Sequence, residues 1–474
     1  MKILVAASEV YPFASTGGLA GVTGSLPIAL EKAGHTVEVI MPLYHDIDKS
    51  GNFRWIKEKF ATSAGEKFIV AESVLPRSDV PVYFVSSNEY FDRPGIYGPD
   101  DESAFDDNAD RFAFFSRAVV AFCENSDDPP DVLHCHDWQT GLIPAYLRNS
   151  GKPSVVFTIH NMHFQGNFPV EKYGCTHLPW SLFTMEGLEF YGKFSFLKAG
   201  IVYADQVTTV SRTYAEEIKS PEFGAGFEGL LLERSDDLTG ILNGIDYGVW
   251  NPETDRTLYA TYTADSISPR RKCSKALLKE LGINKNDSGI TMGVVSRLTK
   301  QKGFDLLFPL IADLAERGFN FVILGTGESY CMNRLSELSM EHSGRISVTL
   351  KYDESMARKI FSGCDVILMP SRFEPCGLAQ MIGMRYGAVP VVNGTGGLAD
   401  TVIDEREGGF GFVMKKADTE ELRKCILRAE DMYKRRNRWA WIVKKCMRRD
   451  NSWDSRISAY GNVYSRAVEA GKDR

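Results

Sequence analysis

The residues of this 474-residue chain best suited to chemistry fall just after short apolar runs. In SRLTKQKG, Arg297 and Lys302 stand five apart, directly after the run Thr291 to Val295. Two cations in a strand-to-helix turn suit a diphosphate leaving group, because fixed positive charge opposes the charge that builds as a glycosidic bond breaks. A merely solvated turn is the plainer alternative. Lys300 adds a third cation, on what reads as the turn's outer side. In PSRFEPCGLAQ, Glu374 precedes a helix expected to start near Gly377. A carboxylate beside a phosphate-binding helix start is poor electrostatics unless something positive is stabilised there. A developing oxocarbenium ion meets that need. GTGES, from Gly325 to Ser329, is another glycine-containing turn of the same kind.

The first half offers a second set. The turn SEVYPFASTGGLAGVTGSLP carries Gly17 and Gly18 ahead of a helix, where backbone approaches a ligand closely and free N–H groups face an anion. Its spacing is not G-x-G-x-x-G, so it lends little to a dinucleotide reading. HCHDWQTGL places His134, His136 and Asp137 after an apolar run, and TIHNMHFQG does the same for His160 and Asn161. Clustered histidines invite a metal, but no H-E-x-x-H spacing supports one, and hydrogen-bonded scaffold at a strand end is the competing reading.

These turns need a frame. Ile3 to Ala7 reads as a buried strand, followed by a helix from roughly Gly21 to Ala33. Further strands are expected at Thr36 to Met41, Val82 to Val85, Val132 to Leu133, Ser154 to Ile159 and Val207 to Val210. Helical periodicity runs from Asp110 to Glu124. The rhythm restarts after NGIDYGVWNPETD, residues 243 to 255, whose Gly, Pro and Asn content fits a linker. Strands are then expected at Thr291 to Val295, Asn320 to Leu324, Ile346 to Leu350, Asp365 to Met369 and Ala388 to Val392. Helices are expected at Phe304 to Arg317 and Ser355 to Phe361. Alternating strands and helices predict an α/β chain of two doubly wound parallel-sheet domains, with ligands at the carboxyl ends of the strands.

Composition agrees. Hydrophobic residues are 43% and charged residues 25%, ordinary for a globular enzyme. A net charge of -7 argues against a nucleic-acid surface. From Lys434 to Arg449, eight of sixteen residues are Lys or Arg. That stretch reads as a solvated helix face, with an anionic partner or modified glucan as the alternative. Nine scattered cysteines without a C-x-x-C pair indicate reduced thiols. No apolar run reaches membrane-spanning length, and the start MKILVAASEV lacks a signal-peptide layout. The expected location is cytoplasmic for a bacterial source, or plastid for a eukaryotic one after removal of a transit peptide. Nothing in the sequence fixes an oligomeric state.

Taken together, SEVYPF, TGGL, GSLP, HCHDWQTGL, TIHN with FQG, NGID with WNP, SRLTKQKG, SRFEPCGLAQ, MRYG, TGGLADTV and SWDSRISAY resemble one family. It is that of the bacterial glycogen synthases and plant starch synthases, GT-B glycosyltransferases, and the resemblance spans nearly the whole chain. It implies two facing Rossmann-like domains with a deep cleft, residues 1–242 and 256–452, joined by a linker at 243–255. Residues 453–474 would form a helix crossing back to the first domain. It implies retaining transfer of glucose from ADP-glucose to the non-reducing end of an α-1,4-glucan, with no metal and no cofactor. UDP-glucose is the alternative donor, and a weak or inactive paralogue that binds glucan or regulates an active partner is the alternative role.

By the same resemblance, His160 touches the transferred glucose and Asp137 supports catalysis or acceptor placement. Arg297 and Lys302 grip the diphosphate, and Glu374 orients or stabilises the glucosyl group. The amides of Cys376, Gly377 and Leu378 hold donor oxygens. Tyr352 stacks on adenine. Asn243 and Asp246 match the linker motif, while Gly17, Gly18, Gly325 and Thr395, Gly396, Gly397 and Leu398 line the donor site. Three positions depart from the family pattern. Ser15 stands where a lysine belongs, Gly21 where an aspartate belongs, and Ala379 where a threonine usually follows the E-P-C-G-L motif.

Overall fold

The first apolar run becomes β1 (Lys2–Ala6), in which every residue from Ile3 to Ala6 is fully buried. This comes from a computed structural model, which describes residues 1–47, 53–56, 58–99, 103–150, 152–283 and 289–472. Further strands in the first half include β2 (Thr36–Pro42), β3 (Lys67–Val74), β4 (Pro81–Ser86), β5 (Val132–His136), β6 (Ser154–Ile159), β7 (Gln206–Thr209) and β8 (Leu238–Gly240). Their order across the sheet is β8-β7-β6-β5-β1-β2-β4-β3, with short pieces Arg54–Trp55 and Phe60–Ala61 paired to β3. Pairing is parallel from β8 to β4, and β3 joins antiparallel.

The β3 edge differs from the all-parallel sheet expected. Its sequence KFIVAESV leaves Lys67, Ile69 and Val74 exposed while Phe68, Val70 and Ala71 are buried. An edge strand covered on one face alternates in this way, whereas parallel strands covered on both faces read as continuous apolar runs. The expected helix from Gly21 to Ala33 also divides, into Gly18–Thr23 and Leu26–Lys32. Gly24 packs so tightly that a Cβ there would lie 2.4 Å from the Tyr11 carbonyl oxygen, and Pro27 opens the second helix.

The chain forms two compact units, Met1–Gly244 with Trp453–Arg474, and Ile245–Ser452. Within the first, the closing helix Ile457–Gly471 packs on β6 through buried Tyr460, Val463, Tyr464 and Ala467. Trp453 donates its indole N–H to Ser25 Oγ at 2.8 Å.

The second unit holds β9 (Thr291–Val295), β10 (Asn320–Leu324), β11 (Ile346–Thr349), β12 (Val366–Met369), β13 (Val389–Asn393) and β14 (Phe412–Met414). All are parallel, in the order β11-β10-β9-β12-β13-β14. The segment after Ile245 is anchored into this unit. Asp255 Oδ2 accepts from Tyr386 Oη at 2.7 Å and from Arg358 at 3.0 Å, and the Arg358 guanidinium covers the Trp250 ring at 4.2 Å.

Each of the two large sheets has a place where the strand order reverses: between β1 and β5 in the first unit, and between β9 and β12 in the second. In open α/β sheets the crevice for ligands lies at the carboxyl ends of such strands.

Candidate functional site

In the first unit, the turn after β1 sits at the switch point. Glu9, almost fully buried, organises it: one carboxylate oxygen accepts from Thr16 N at 2.6 Å, the other from Thr16 Oγ1 at 2.9 Å and Tyr97 Oη at 2.6 Å. Tyr97 Oη also shares a 2.7 Å bond with Ser8 Oγ, and the Glu9 carbonyl accepts from Thr23 Oγ1 at 2.6 Å. These contacts hold Ser15, Gly17 and Gly18, all exposed, in place. A Cβ built on Gly17 or Gly18 meets nothing within 4 Å, so no neighbour in the fold requires glycine there. The open space suits the approach of another molecule to the backbone.

At the ends of β5 and β6, Asp137 and His160 come together. Asp137 is buried in a left-handed conformation (φ 57°) unusual for a non-glycine residue, and its Oδ1 accepts the backbone N–H of His160 at 2.7 Å. Burial pushes its carboxyl up to about 7, partly offset by the His160 and Asn161 amides and aided by the Glu9 charge. Three imidazoles line up behind it. His134 bonds Tyr464 Oη at 3.0 Å and Thr158 Oγ1 at 2.7 Å, and its ring lies 4.2 Å from that of His136. His136 Nδ1 lies 2.9 Å from His160 Nε2. Burial lowers His134 and His160 to about 3 and His136 well below its ordinary value, so all three stand neutral at pH 7. Among the described residues no group of three or more His, Cys, Asp or Glu is disposed to hold a metal ion. The histidines form a hydrogen-bonded row of closely packed, mutually tilted rings.

A pH effect follows. The unfolded chain releases the Asp137 proton near 3.8, while the fold keeps it to about 7. The stabilisation is therefore present at acid pH and lost as pH rises through 7. The buried histidines act oppositely, costing stability as pH falls below 6.5. On going from about pH 7.5 to about pH 5.5, Asp137→Asn is expected to lose about 2 kcal/mol more stability than the parent. Urea unfolding at the two pH values measures this, and equal losses would refute the buried, protonated carboxyl.

In the second unit, the turns after β9 and β12 meet at the reversal. Lys302 Nζ and Glu374 Oε2 form a 2.6 Å ion pair, and Ser371 Oγ donates to the same oxygen at 3.0 Å. Glu374 is buried and Lys302 half-buried. The backbone ties the turns together, Arg372 N donating to the Gln301 carbonyl at 2.9 Å. Gly303 takes φ 79° under Pro370, whose carbonyl oxygen would lie 2.1 Å from a Cβ. Arg297 is exposed on the same turn, and so is Lys300, whose backbone N–H reaches Glu328.

The loops 371–378 and 393–397 nest. Gly397 N donates to the Glu374 and Pro375 carbonyls, both at 3.1 Å, and Asn393 Nδ2 to the Ser371 carbonyl at 3.0 Å. A Cβ on Gly396 would stand 2.1 Å from the Glu374 carbonyl oxygen, and one on Gly397 2.1 Å from that of Cys376. These glycines are needed for backbone packing, and Gly325 likewise, against Ser296 O at 1.9 Å. Gln380 Nε2 bonds the Cys376 and Gly377 carbonyls, both at 3.0 Å, fixing the loop before the helix Ala379–Arg385. That helix starts two residues later than the Gly377 expected from sequence. Cys376 is buried and Gly377 and Leu378 partly exposed; Thr395 is buried ahead of the helix Gly396–Thr401, which contains buried Leu398.

Three further residues complete the set. Tyr352 is 81% exposed in the turn after β11, a ring presented to solvent. Asn243 is buried in the first unit with its side-chain oxygen unpartnered. Asp246 caps its own turn through the Gly248 amide at 2.7 Å. Sequence reasoning missed Glu9, Tyr97, Ser371, Gln380 and Asn393. The first two act through contacts 88 residues apart, for which a single sequence gives no signal.

Comparison with known proteins bears on this arrangement. Residues 2–233 match the starch synthase catalytic domain, and residues 279–445 match glycosyl transferases group 1. Glycogen synthase 2 of Geobacter sulfurreducens is 44% identical, with 99% of each chain covered. Glycogen synthase of Thermotoga maritima is 40% identical over 99% of each. Among solved structures, the catalytic domain of starch synthase IV from Arabidopsis thaliana, bound to ADP and acarbose, superposes with a TM-score of 0.91 at 31% identity over 99% of each chain. Sucrose-phosphate synthase from Thermosynechococcus elongatus, at 17% identity and TM-score 0.63, shares the fold.

Proposed function

The chain belongs to the glycogen and starch synthase family of GT-B glycosyltransferases, and from that premise we propose that it moves glucose from ADP-glucose to the non-reducing end of an α-1,4-glucan. The observation that carries this reading is the Lys302–Glu374 pair at the second unit's switch point. The bond from C1 to the diphosphate breaks and its electron pair leaves with ADP. An acceptor hydroxyl oxygen forms the new bond to C1 and gives up its proton to the departing diphosphate. Lys302 and Arg297 offset charge growing on the leaving group, and Glu374 faces the positive charge growing at the sugar ring. Fixed cations and backbone amides take the place of a metal. His160 and Asp137 serve the transferred sugar and the acceptor. The solved relative bound to ADP supports an adenine donor, with exposed Tyr352 as its stacking ring. Bacterial relatives and nine free thiols fit a reducing compartment, and among the described residues no helix is long and apolar enough to cross a membrane.

The test is glucose incorporation into glycogen with ADP release. A product formed from UDP-glucose alone would shift the donor. Glycogen binding without incorporation from either donor would leave a non-catalytic relative. Ser15 sets the expected level of activity. It is exposed on the Glu9-held turn where the family places a lysine. A charge-assisted bond contributes about 1.5–3 kcal/mol, so Ser15→Lys is expected to lower the donor KM by about ten- to 150-fold. Unchanged donor kinetics would show that the turn makes no phosphate contact.

A further inference from the structure

We propose that His136 is a positioning residue that sets the tautomer of His160, donating from its Nδ1 so that His160 carries its single proton on Nδ1. The inference rests on the reading of His160 as the group that meets the transferred glucose.

The two rings are joined by one contact, His136 Nδ1 to His160 Nε2 at 2.9 Å. Two neutral imidazoles share one proton across such a contact, so one nitrogen donates and the other accepts. Burial keeps both rings neutral. The direction follows from the far side of His136. The residue is fully buried, and its Nε2 is buried with no hydrogen-bond partner. Were His136 the acceptor, its proton would sit on Nε2, leaving an N–H donor in the interior with nothing to bond. Orphaned buried donors are rarer than under-satisfied acceptors. The proton therefore sits on Nδ1, and His136 donates.

His160 must then accept on Nε2 and hold its own proton on Nδ1. His160, a partly exposed residue, thus offers a donor rather than a lone pair, suited to a sugar hydroxyl oxygen. Ring and backbone are both fixed, since Asp137 Oδ1 holds the His160 N–H at 2.7 Å. His136 is itself packed against the His134 ring at 4.2 Å, and both nitrogens of His134 are engaged, by Tyr464 and Thr158.

Long-range nitrogen–proton spectra of the full chain, labelled with nitrogen-15 at its eight histidines, test this directly. His136→Asn and His160→Asn assign the two signals. Protonated Nδ1 with bare Nε2 on both residues is the expected result, and a protonated Nε2 on His136 overturns the proposal. Activity supplies the second readout. His136→Leu removes the donor and is expected to lower kcat about ten- to a hundredfold with donor KM little changed. His136→Asn keeps an N–H near the Nδ1 position and is expected to restore most of that loss. Equal kcat for the Leu and Asn variants overturns the positioning role. If the Leu variant does not fold, the spectra of the parent decide. Full activity of His160→Asn would instead overturn the reading of His160, and the positioning role with it, whereas a wrong tautomer leaves that reading intact.

Discussion

Glu374→Gln is expected to lower kcat for glucosyl transfer about a thousandfold while the variant still binds donor, a loss of roughly 4 kcal/mol from the transition state. The side chain is buried, so its charge acts through little screening solvent. Glutamine keeps the shape and one oxygen to accept from Ser371 Oγ, which now bonds the carboxylate at 3.0 Å. Only the charge is removed, and charge is what a developing oxocarbenium ion requires. A donor Kd within a few-fold of the parent would place the effect in the transition state. Loss of a buried partner also costs stability, by roughly 3–5 kcal/mol in the interior and less here because Lys302 is half-buried. The assay therefore needs a melting curve beside it. A folded variant with unchanged kcat would remove Glu374 from the chemistry.

The frame of this site was largely legible. Ser154–Ile159, Thr291–Val295 and Asn320–Leu324 have the bounds read from sequence, because each is a continuous, mostly apolar run buried on both faces. Antiparallel β3 escaped that search through its alternation, as did the small sheet of Asn167–Pro169, Glu189–Phe190 and Lys193–Ser195, whose strands have only two or three residues. The turns with site residues were also visible, since glycine, proline and charge collect where strands end. Their partnerships were not. Lys302 and Glu374 lie 72 positions apart, and only the adjacency of β9 and β12 brings them together. Glycines can also carry reasons that only packing reveals. Gly396 and Gly397 are read as lining the donor site, and the carbonyls of Glu374 and Cys376 add a second requirement for glycine there. Gly17 and Gly18 show the reverse, with no neighbour that excludes a side chain.

Lys302→Met should be nearly as damaging, and the pair should fail together. The ammonium has three donors and one is committed to Glu374 at 2.6 Å. On the proposed reading the others serve donor phosphate, so the same nitrogen would both screen a buried carboxylate and oppose the leaving group. Losing it is expected to raise donor KM and lower kcat, reducing kcat/KM about a hundred- to a thousandfold. If the two groups work as a unit, Glu374→Gln with Lys302→Met will cost less than the product of the single losses. The shortfall should be about 1.5–3 kcal/mol, the range of a hydrogen bond to a charged group. Multiplicative losses would mean that the ion pair is incidental to transfer, and that each residue meets the donor alone. A double variant no worse than Glu374→Gln would mean that Lys302 acts chiefly by holding the carboxylate, which leaves Arg297 as the principal cation for the diphosphate. The cycle thus measures how the charge at this turn is divided between orienting Glu374 and receiving the leaving group.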